Sequence, residues 1–456
     1  MSDSISSKKK DTKSTPNNTK EITKKILHNL PKTISHFFPD FISGLRRMPD
    51  SRKRTEYELL ELMMGGITMH LFKEGSRNAY NNDRRDDKFR SNYESIFNGI
   101  RLPHMDTVDD QFRNQDPKLL EDFKAAQIRG LIEKRVLHKE RLLGKYFVVA
   151  IDGTGVASYK KRHCNKCLTK TYSNGKTVYF HNVLEAKLVM LNGLTISIGT
   201  EWIENDDDEY EKQDCELKSF YRLSEKLKKY YPRLPICIVG DGLYPNQKVF
   251  EICERNQWKY IITLRDGNLP TVWEEVRLLL PIEEDNKIKQ TLINKNGEKE
   301  TSHRWIEKID YSGHKLSWIE TVETKRDSKT EKTNRFVYVS NLEIKEKTAA
   351  QISCSGRLRT KIENEGFNEQ KNNGYELEHK YSEVSLKALK NYYQCLQIAA
   401  MINQLLVLGQ KLKMYLKEKI TIKHLWKNLK AFLLYGEIDR EKIIELNSIR
   451  IQIRLE

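Results

Sequence analysis

Two short apolar runs, each closed by an aspartate, dominate the hydrophobic pattern in the middle of the chain. Residues 146–152 read Tyr-Phe-Val-Val-Ala-Ile-Asp, and residues 235–241 read Pro-Ile-Cys-Ile-Val-Gly-Asp. Continuous apolar runs rich in β-branched residues are typical of strands that are buried on both faces of a sheet. A glycine follows each run, at Gly153 and Gly242. The pattern therefore predicts two carboxylates at the ends of buried strands.

The segment around these runs alternates between strand and helix patterns. Strands are predicted near 146–152, 178–190, 194–203, 235–241 and 260–265, and helices near 213–230 and 246–256. The Asn192-Gly193 pair predicts a tight hairpin between the second and third strands. The helices between the later strands require parallel neighbours. We therefore expect an α/β segment built on a mixed sheet.

Helical patterns precede this segment. Between about residues 21 and 140, apolar side chains recur at helical spacing, as at Leu59, Met63 and Ile67, and Asp116-Pro117 predicts the start of a further helix. Basic side chains accompany them: Arg46, Arg47, Arg52, Lys53, Arg54, Arg84 and Arg85. This helical region either contacts a phosphate backbone or simply presents a basic surface to water.

The pattern changes again after residue 280. Residues 280–345 have strand patterns, with turns predicted at Asn296-Gly297 and Ser312-Gly313. Helices follow at about 355–372 and 382–416, and the charged C-terminal residues also have a helical pattern. A β-rich insertion therefore separates two parts of the α/β segment.

Composition favours a polyanionic partner. The 456 residues include 80 Lys and Arg against 64 Asp and Glu, a net charge of +16. Basic side chains gain affinity for nucleic acid by releasing counterions from phosphates, although a basic surface can also serve solubility alone.

Seven cysteines give no disulfide framework and suit a reducing cytoplasm. Residues 1–25 lack a secretory signal, and the uncharged stretch 391–410 carries too many amides for a membrane span.

A third carboxylate is predicted on the helix at 355–372. Arg359, Glu363, Phe367 and Lys371 are spaced four apart and would share one face of that helix. Such a stripe is also typical of a solvated, salt-bridged surface. With Asp152 and Asp241 it would supply three carboxylates, the hard oxygen ligands that Mg²⁺ or Mn²⁺ prefers, in a site able to hold two ions.

Three motifs in this order resemble the signatures of bacterial insertion-sequence DDE transposases. They are Ile-Asp-Gly-Thr-Gly at 151–155, Gly-Asp-Gly-Leu-Tyr at 240–244 and Arg-Thr-Lys-Ile-Glu-Asn-Glu-Gly-Phe-Asn-Glu-Gln-Lys at 359–371. The resemblance covers roughly 145–410 and is closest to the group with a β-rich insertion between the second Asp and the Glu. It implies an α/β fold with a ribonuclease H-like mixed sheet, split by that insertion.

The resemblance also implies residue roles. Asp152, Asp241 and Glu363 would be the catalytic, metal-binding triad, and Arg359 and Lys371 would contact DNA phosphates. The reaction would be Mg²⁺-dependent cleavage and strand transfer at terminal inverted repeats, by a cut-and-paste route without a protein-linked intermediate.

An aromatic side chain of the insertion can stack on a flipped base in such proteins, which makes Trp305 and Trp318 candidates. Packing of both indoles in the core is the alternative. The expected partners are the element ends and the target DNA, bound by a dimer in the cytoplasm at the nucleoid.

These expectations divide the chain into six regions. They are a disordered basic tail (1–20), a helical DNA-binding region (21–140), the first part of the core (145–279), the β-rich insertion (280–345), the helical second part of the core (346–416) and a C-terminal helical region (417–456). Two other functions stay open: a DNA-binding protein whose catalysis has decayed, and a nuclease of the same fold that cuts without joining.

Two smaller clusters have metal-binding character. His163, Cys164 and Cys167, with His181 downstream, have the two-residue cysteine spacing of a zinc knuckle, and the alternative is a pair of free thiols. The acidic run 206–209 is interpreted as a solvated loop before a helix. Asp214 and Glu216, near the start of that helix, suit its positive end and are not selected as catalytic.

Overall fold

The computed structural model describes residues 16–456 except 51, 54, 206–211, 295–296, 327–329, 410–420, 450–452, 454 and 456. The protein is a mixed α/β structure with helical regions at both ends. The helices are α1 (Pro16–Phe37), α2 (Phe41–Arg46), α3 (Leu59–Leu71), α4 (Arg77–Arg84), α5 (Asp87–Ile96), α6 (Met105–Asn114), α7 (Pro117–Glu133), α8 (Glu216–Tyr230), α9 (Gln247–Arg255), α10 (Pro270–Leu279), α11 (Glu346–Arg357), a π-helix (Ile362–Asn368), α12 (Glu369–Asn372), α13 (Leu386–Leu408), α14 (Ile422–Tyr435) and α15 (Arg440–Ser448).

The strands lie in the middle of the chain. They are β1 (Phe147–Tyr159), β2 (Leu168–Thr171), β3 (Thr177–Val189), β4 (Thr195–Ile203), β5 (Ile236–Gly240), β6 (Lys259–Thr263), β7 (Lys287–Asn294), β8 (Gly297–Tyr311), β9 (His314–Arg326) and β10 (Glu331–Ser340).

These strands form one mixed sheet in the order β2-β3-β1-β5-β6-β10-β9-β8-β7, with β4 also paired to β3. β1 is antiparallel to β3 and parallel to β5, and β5 is parallel to β6. β10 then pairs antiparallel with β6, so the strands of residues 287–340 extend the same sheet. The predicted mixed sheet with helical ends is confirmed.

Glycines with positive φ close the two hairpins that the sequence predicts within the described residues. Gly193 (φ 96°) lies between β3 and β4, and Gly313 (φ 83°) follows Ser312 (φ 50°) between β8 and β9. Positive φ carries little cost in glycine, which is why these positions turn the chain tightly. Asn296, in the third predicted turn, lies outside the described residues.

The N-terminal helices pack directly on the second half of the core. Every residue of α3 is buried, and α3 and α6 both contact α13. The amide of Asn391 on α13 donates to the carbonyls of Phe112 (3.0 Å) and Gln115 (2.8 Å), and Asn403 donates to that of Leu71 (3.1 Å). Buried amides need such partners, and here they join distant parts of the chain. No described helix is long and apolar enough to cross a membrane.

Two helix boundaries differ from the sequence expectations. α1 begins at Pro16, within the predicted disordered tail, because proline suits a first helical turn and Ile22 and Ile26 are buried. Residues 1–15 of that tail, and the acidic run 206–209, lie outside the described residues. The single helix predicted over 355–372 is wrong: α11 ends at Arg357, and a π-helix begins at Ile362.

Candidate active site

Asp152 and Asp241 lie side by side just beyond the parallel pairing of β1 with β5. In the parallel pair of β1 and β5, Ala150 is opposite Val239. Asp152 lies two residues further along β1, and Asp241 directly follows Gly240, the last residue of β5. They therefore occupy matching positions on the same face, because side chains alternate with a period of two. The prediction that a strand ends at Asp152 is wrong, because β1 continues to Tyr159 in its pairing with β3. The backbone N–H of Leu243 donates to Oδ1 of Asp241 at 2.9 Å, which fixes that carboxylate. The structure thus brings the two acids together.

Glu363 joins them from the π-helix. One guanidinium, that of Arg359, lies 2.8 Å from Oε1 of Glu363 and 3.6 Å from Oδ2 of Asp152. The Asp152 and Arg359 side chains are each about one-fifth exposed, whereas that of Glu363 is 45% exposed. Arg359 therefore connects the helical carboxylate to the strand carboxylate at a position that solvent can still reach.

A buried lysine anchors the π-helix to the sheet. Lys187 lies on β3 opposite Ala150, and its ammonium is 5.0 Å from the ring centroid of Phe367. The same ammonium donates to the side-chain oxygen of Gln370 at 3.3 Å. A cation held against an aromatic face in the interior contributes up to about 2 kcal/mol. These contacts fix the helical segment that carries Glu363.

A fourth acid, Glu216, completes the cluster. It is the first residue of α8, and the hydroxyl of Tyr244 donates to its Oε2 at 3.4 Å. Burial first, and then the charge of Asp241, raise the pKa of Glu216. The neighbouring Asp214 points elsewhere, because it forms an ion pair with Arg222 at 2.6 Å. The sequence pattern predicts both acids as helix-end residues. In the folded chain, only Glu216 lies at the acid cluster.

Burial, and then crowding by other acids, raise the pKa of two of these acids, Asp152 and Glu216. Burial raises the pKa of Asp152 to about 7; the Arg359 guanidinium opposes this shift, and the charges of Glu363 and Glu216 add to it. Like charges that share a poorly solvated site disfavour ionisation, and a bound cation reverses that effect. The cluster therefore has the electrostatics of a cation site.

Steric crowding explains why a glycine follows each of Asp152 and Asp241. A Cβ atom on Gly153 would lie 2.4 Å from Oε1 of Glu216, and one on Gly242 would lie 2.6 Å from Nε of Arg265. Arg265 in turn pairs with Oδ2 of Asp241 at 2.8 Å. The glycine after each of these two acids thus lets a charged side chain approach the site closely.

The donor set of this site fits magnesium. Asp152, Asp241 and Glu363 offer carboxylate oxygens, with Glu216 next to them, and hard divalent cations prefer such ligands. Two arginines, Arg359 and Arg265, contact these carboxylates in the structure. The site therefore combines ligands for Mg²⁺ or Mn²⁺ with cationic groups that suit a phosphate.

Lys371, the other predicted phosphate contact, lies farther along the chain on α12. Its ammonium pairs with Oε1 of Glu378 at 2.7 Å, and it is partly exposed. Glu378 in turn lies near Gly155 on β1. Lys371 is thus beside the strand that carries Asp152. Its ammonium pairs with Glu378 and not with a carboxylate of the acid cluster.

Trp305 and Trp318 are packed in the core, which corrects their selection as base-stacking residues. Trp305 is 4% exposed and Trp318 is fully buried. The indole of Trp318 makes an edge contact with Trp273 of α10 at 6.1 Å between ring centroids. The two residues lie on adjacent strands and face opposite sides of the sheet, and α10 and α11 cover β8. Neither ring is available to a base in this structure.

The cysteine-histidine cluster does assemble. His163, Cys164, Cys167 and His181 each present a ligand atom, and these atoms all lie within 4.8 Å of one another. His181 and Cys167 are buried, and the other two are partly exposed. The fold therefore brings together the four side chains that the sequence indicates as zinc ligands.

Comparison with protein-family models gave no match, and comparison with curated proteins gave none either. The functional assignment therefore rests on the geometry of the site and on the motifs in the sequence.

Proposed function

We propose that the protein is a DDE transposase that cleaves DNA at the terminal inverted repeats of its element and joins the freed ends to a target. The observation that carries the proposal is the meeting of Asp152, Asp241 and Glu363 just beyond the parallel pairing of β1 with β5, with Arg359 between Asp152 and Glu363. Acids from three distant parts of the sequence have no structural need to converge. A shared cation is a reason for them to do so.

The sheet topology supports a ribonuclease H-like core. Strands β4, β3 and β1 are antiparallel neighbours, and β1, β5 and β6 are parallel neighbours linked by helices. This is the arrangement expected from the resemblance: three antiparallel strands followed by βαβ units. In such α/β sheets, active sites form where parallel strands end. Asp241 directly follows the end of β5, and Asp152 lies on β1 just beyond the last residues that pair β1 with β5.

The acids would hold Mg²⁺ or Mn²⁺, two ions per site, which supply charge stabilisation at a phosphodiester that is attacked by water or by a 3′-hydroxyl. The protein itself positions the acids: β1 and β5 fix two of them, and Arg359 orients Glu363. Arg265, whose side chain is two-thirds exposed, is placed to meet a DNA phosphate beside Asp241.

The charge of the chain supports DNA binding. A net charge of +16 favours a polyanion, and the N-terminal helical region carries exposed basic residues at Arg46, Arg47 and Arg85. We infer that this region binds the element ends, that two protomers bring two ends together, and that the protein acts in the cytoplasm at the nucleoid.

Incubation of the purified full chain with Mg²⁺ and DNA carrying the sequences that flank its gene tests the proposal. A transposase cleaves at the repeat ends and joins pre-cleaved 3′-ends to a second duplex. Cleavage without joining would identify a nuclease, and binding without cleavage a decayed DNA-binding protein. Either outcome would contradict the proposal.

Gly153→Ala is expected to reduce DNA cleavage on the order of 10²-fold while leaving the fold intact, because misplacement of catalytic groups by about 1 Å has effects of that size. The added methyl would displace the Glu216 carboxylate beside Asp152. Cleavage rates and thermal unfolding measured together check this. Gly267→Ala is the matched control, since no atom lies within 4 Å of a Cβ there. Equal loss in both variants would contradict the steric account.

A further inference from the structure

We propose that His163, Cys164, Cys167 and His181 bind a structural Zn²⁺ ion that fixes the loop after β1 to β3 and to the chain that precedes α13. This inference is independent of the proposed transposase activity. It depends on the positions of four side chains that the catalytic acids do not contact in the described structure.

The distances match tetrahedral zinc. With Zn–S of about 2.3 Å and Zn–N of about 2.0–2.1 Å, tetrahedral geometry requires sulfur atoms about 3.8 Å apart and sulfur-to-nitrogen distances of about 3.5 Å. The Sγ atoms of Cys164 and Cys167 are 3.7 Å apart. Nε2 of His181 lies 3.5 Å from the first and 3.4 Å from the second. The three ligand atoms therefore already occupy three corners of one coordination tetrahedron.

The fourth ligand, His163, keeps one ring nitrogen available for a metal. The Nε2–H of His163 donates to the backbone carbonyl of Glu383, and Nδ1 is buried without a hydrogen-bond partner among the described residues. Metal-binding histidines usually donate their second ring nitrogen to a carbonyl or carboxylate, which leaves the other nitrogen as the ligand. The ring also stacks on Tyr159 at 4.3 Å. His163 is thus oriented to coordinate through Nδ1.

Neither a disulfide nor a pair of free thiols fits the cluster as well as zinc does. A disulfide needs sulfur atoms about 2.05 Å apart, far less than the 3.7 Å observed. Two free thiols could form weak hydrogen bonds to Nε2 of His181, but they would not explain why a second histidine, His163, lies beside the same sulfurs. Two cysteines and two histidines also leave no open position on zinc, and such closed sites are structural rather than catalytic.

The site has a clear structural role. His181 is paired with Ala157 on β1, five residues beyond Asp152, which is about 16 Å along a strand. His163 reaches the segment before α13 through Glu383. Bound zinc would therefore hold the far end of β1 in register with β3, and with it the strand that carries Asp152.

Metal analysis of the untagged full chain, expressed with zinc in the medium, tests the proposal. We expect about one zinc per chain in the wild type and loss of at least about nine-tenths of it in Cys164→Ser and Cys167→Ser. Cys354→Ser, which removes an exposed cysteine outside the cluster, should keep it. Zinc near zero in the wild type, or full zinc in either cluster variant, would overturn the proposal.

A spectroscopic measurement covers the case in which the serine variants fail to fold. Co²⁺ in place of zinc should give the visible bands of a tetrahedral site with two thiolates. His163→Cys keeps four ligands and should still bind Co²⁺, with its charge-transfer band strengthened by a third thiolate. A Co²⁺ spectrum without thiolate bands in the wild type, or one unchanged by His163→Cys, would overturn the assignment of these ligands.

Discussion

Asp152→Asn and Asp241→Asn are each expected to lower Mg²⁺-dependent DNA cleavage by at least about 10³-fold. Each substitution keeps the shape of the side chain and removes the charge that a divalent cation needs. The charge stabilisation of the transition state is lost with it, and loss of a single stabilising group already costs about 10²–10³-fold in other enzymes. Rates of strand cleavage on end-sequence DNA measure the effect.

DNA affinity should survive these substitutions, because contacts to phosphates are spread over the basic surface. Asp266→Asn is the matched control: this exposed carboxylate lies near the site and pairs with Arg335 rather than with the acid cluster. It should leave cleavage within about twofold of the wild type. Full activity in Asp152→Asn or Asp241→Asn would defeat the catalytic assignment.

Trp318→Ala is expected to lower the free energy of unfolding by about 3–5 kcal/mol, the usual cost of removing a buried aromatic side chain. Trp318 is fully buried, and its ring contacts Trp273. Trp318→Phe keeps part of the ring and should cost less. Urea denaturation measures both variants.

Tyr435→Ala is the control for the tryptophan, because that ring is 83% exposed and its removal should change stability by no more than about 0.5 kcal/mol. A role in base stacking would give the opposite result for Trp318. The alanine variant would then keep its stability and lose only a DNA-dependent step.

The two strand acids could be predicted because their signal is local. An apolar run followed by Asp and Gly predicts a buried strand that carries an acid, and the sequence shows two such runs. The strand does end before Asp241, whereas β1 continues beyond Asp152 to Tyr159 through its pairing with β3. The antiparallel pairing of β3 with β4 and the parallel pairing of β5 with β6 followed from the Asn192-Gly193 turn and the intervening helices, but the pairing of β10 with β6 had no local signal.

The helical part of the site was harder to predict. A spacing of four residues placed Arg359, Glu363, Phe367 and Lys371 on one face of an α-helix. The chain instead adopts a π-helix over Ile362–Asn368, which contains more residues per turn. Arg359 and Glu363 still meet, but Phe367 turns inward to Lys187 and Lys371 pairs with Glu378. This π-helix packs on β1 and β4, and Phe367 also contacts Lys187 of β3; the local sequence does not reveal these contacts.

The roles of Glu216 and the two tryptophans also could not be predicted from the local sequence. An acid in a first helical turn has a local explanation in the helix dipole, so sequence alone gives no reason to select Glu216 over Asp214. A Trp on a strand can face a ligand or a covering helix, and only the packing of α10 and α11 decides for Trp305 and Trp318. Long-range packing, rather than local pattern, determines these roles.

Electron paramagnetic resonance of Mn²⁺ with the purified protein tests most directly whether the acids form one metal site. The wild type and Asp266→Asn should bind Mn²⁺, whereas Asp152→Asn, Asp241→Asn and Glu363→Gln should each weaken binding by at least about tenfold, since each removes a charged ligand. Undiminished Mn²⁺ binding in all three variants would contradict the convergence of these carboxylates on a shared cation.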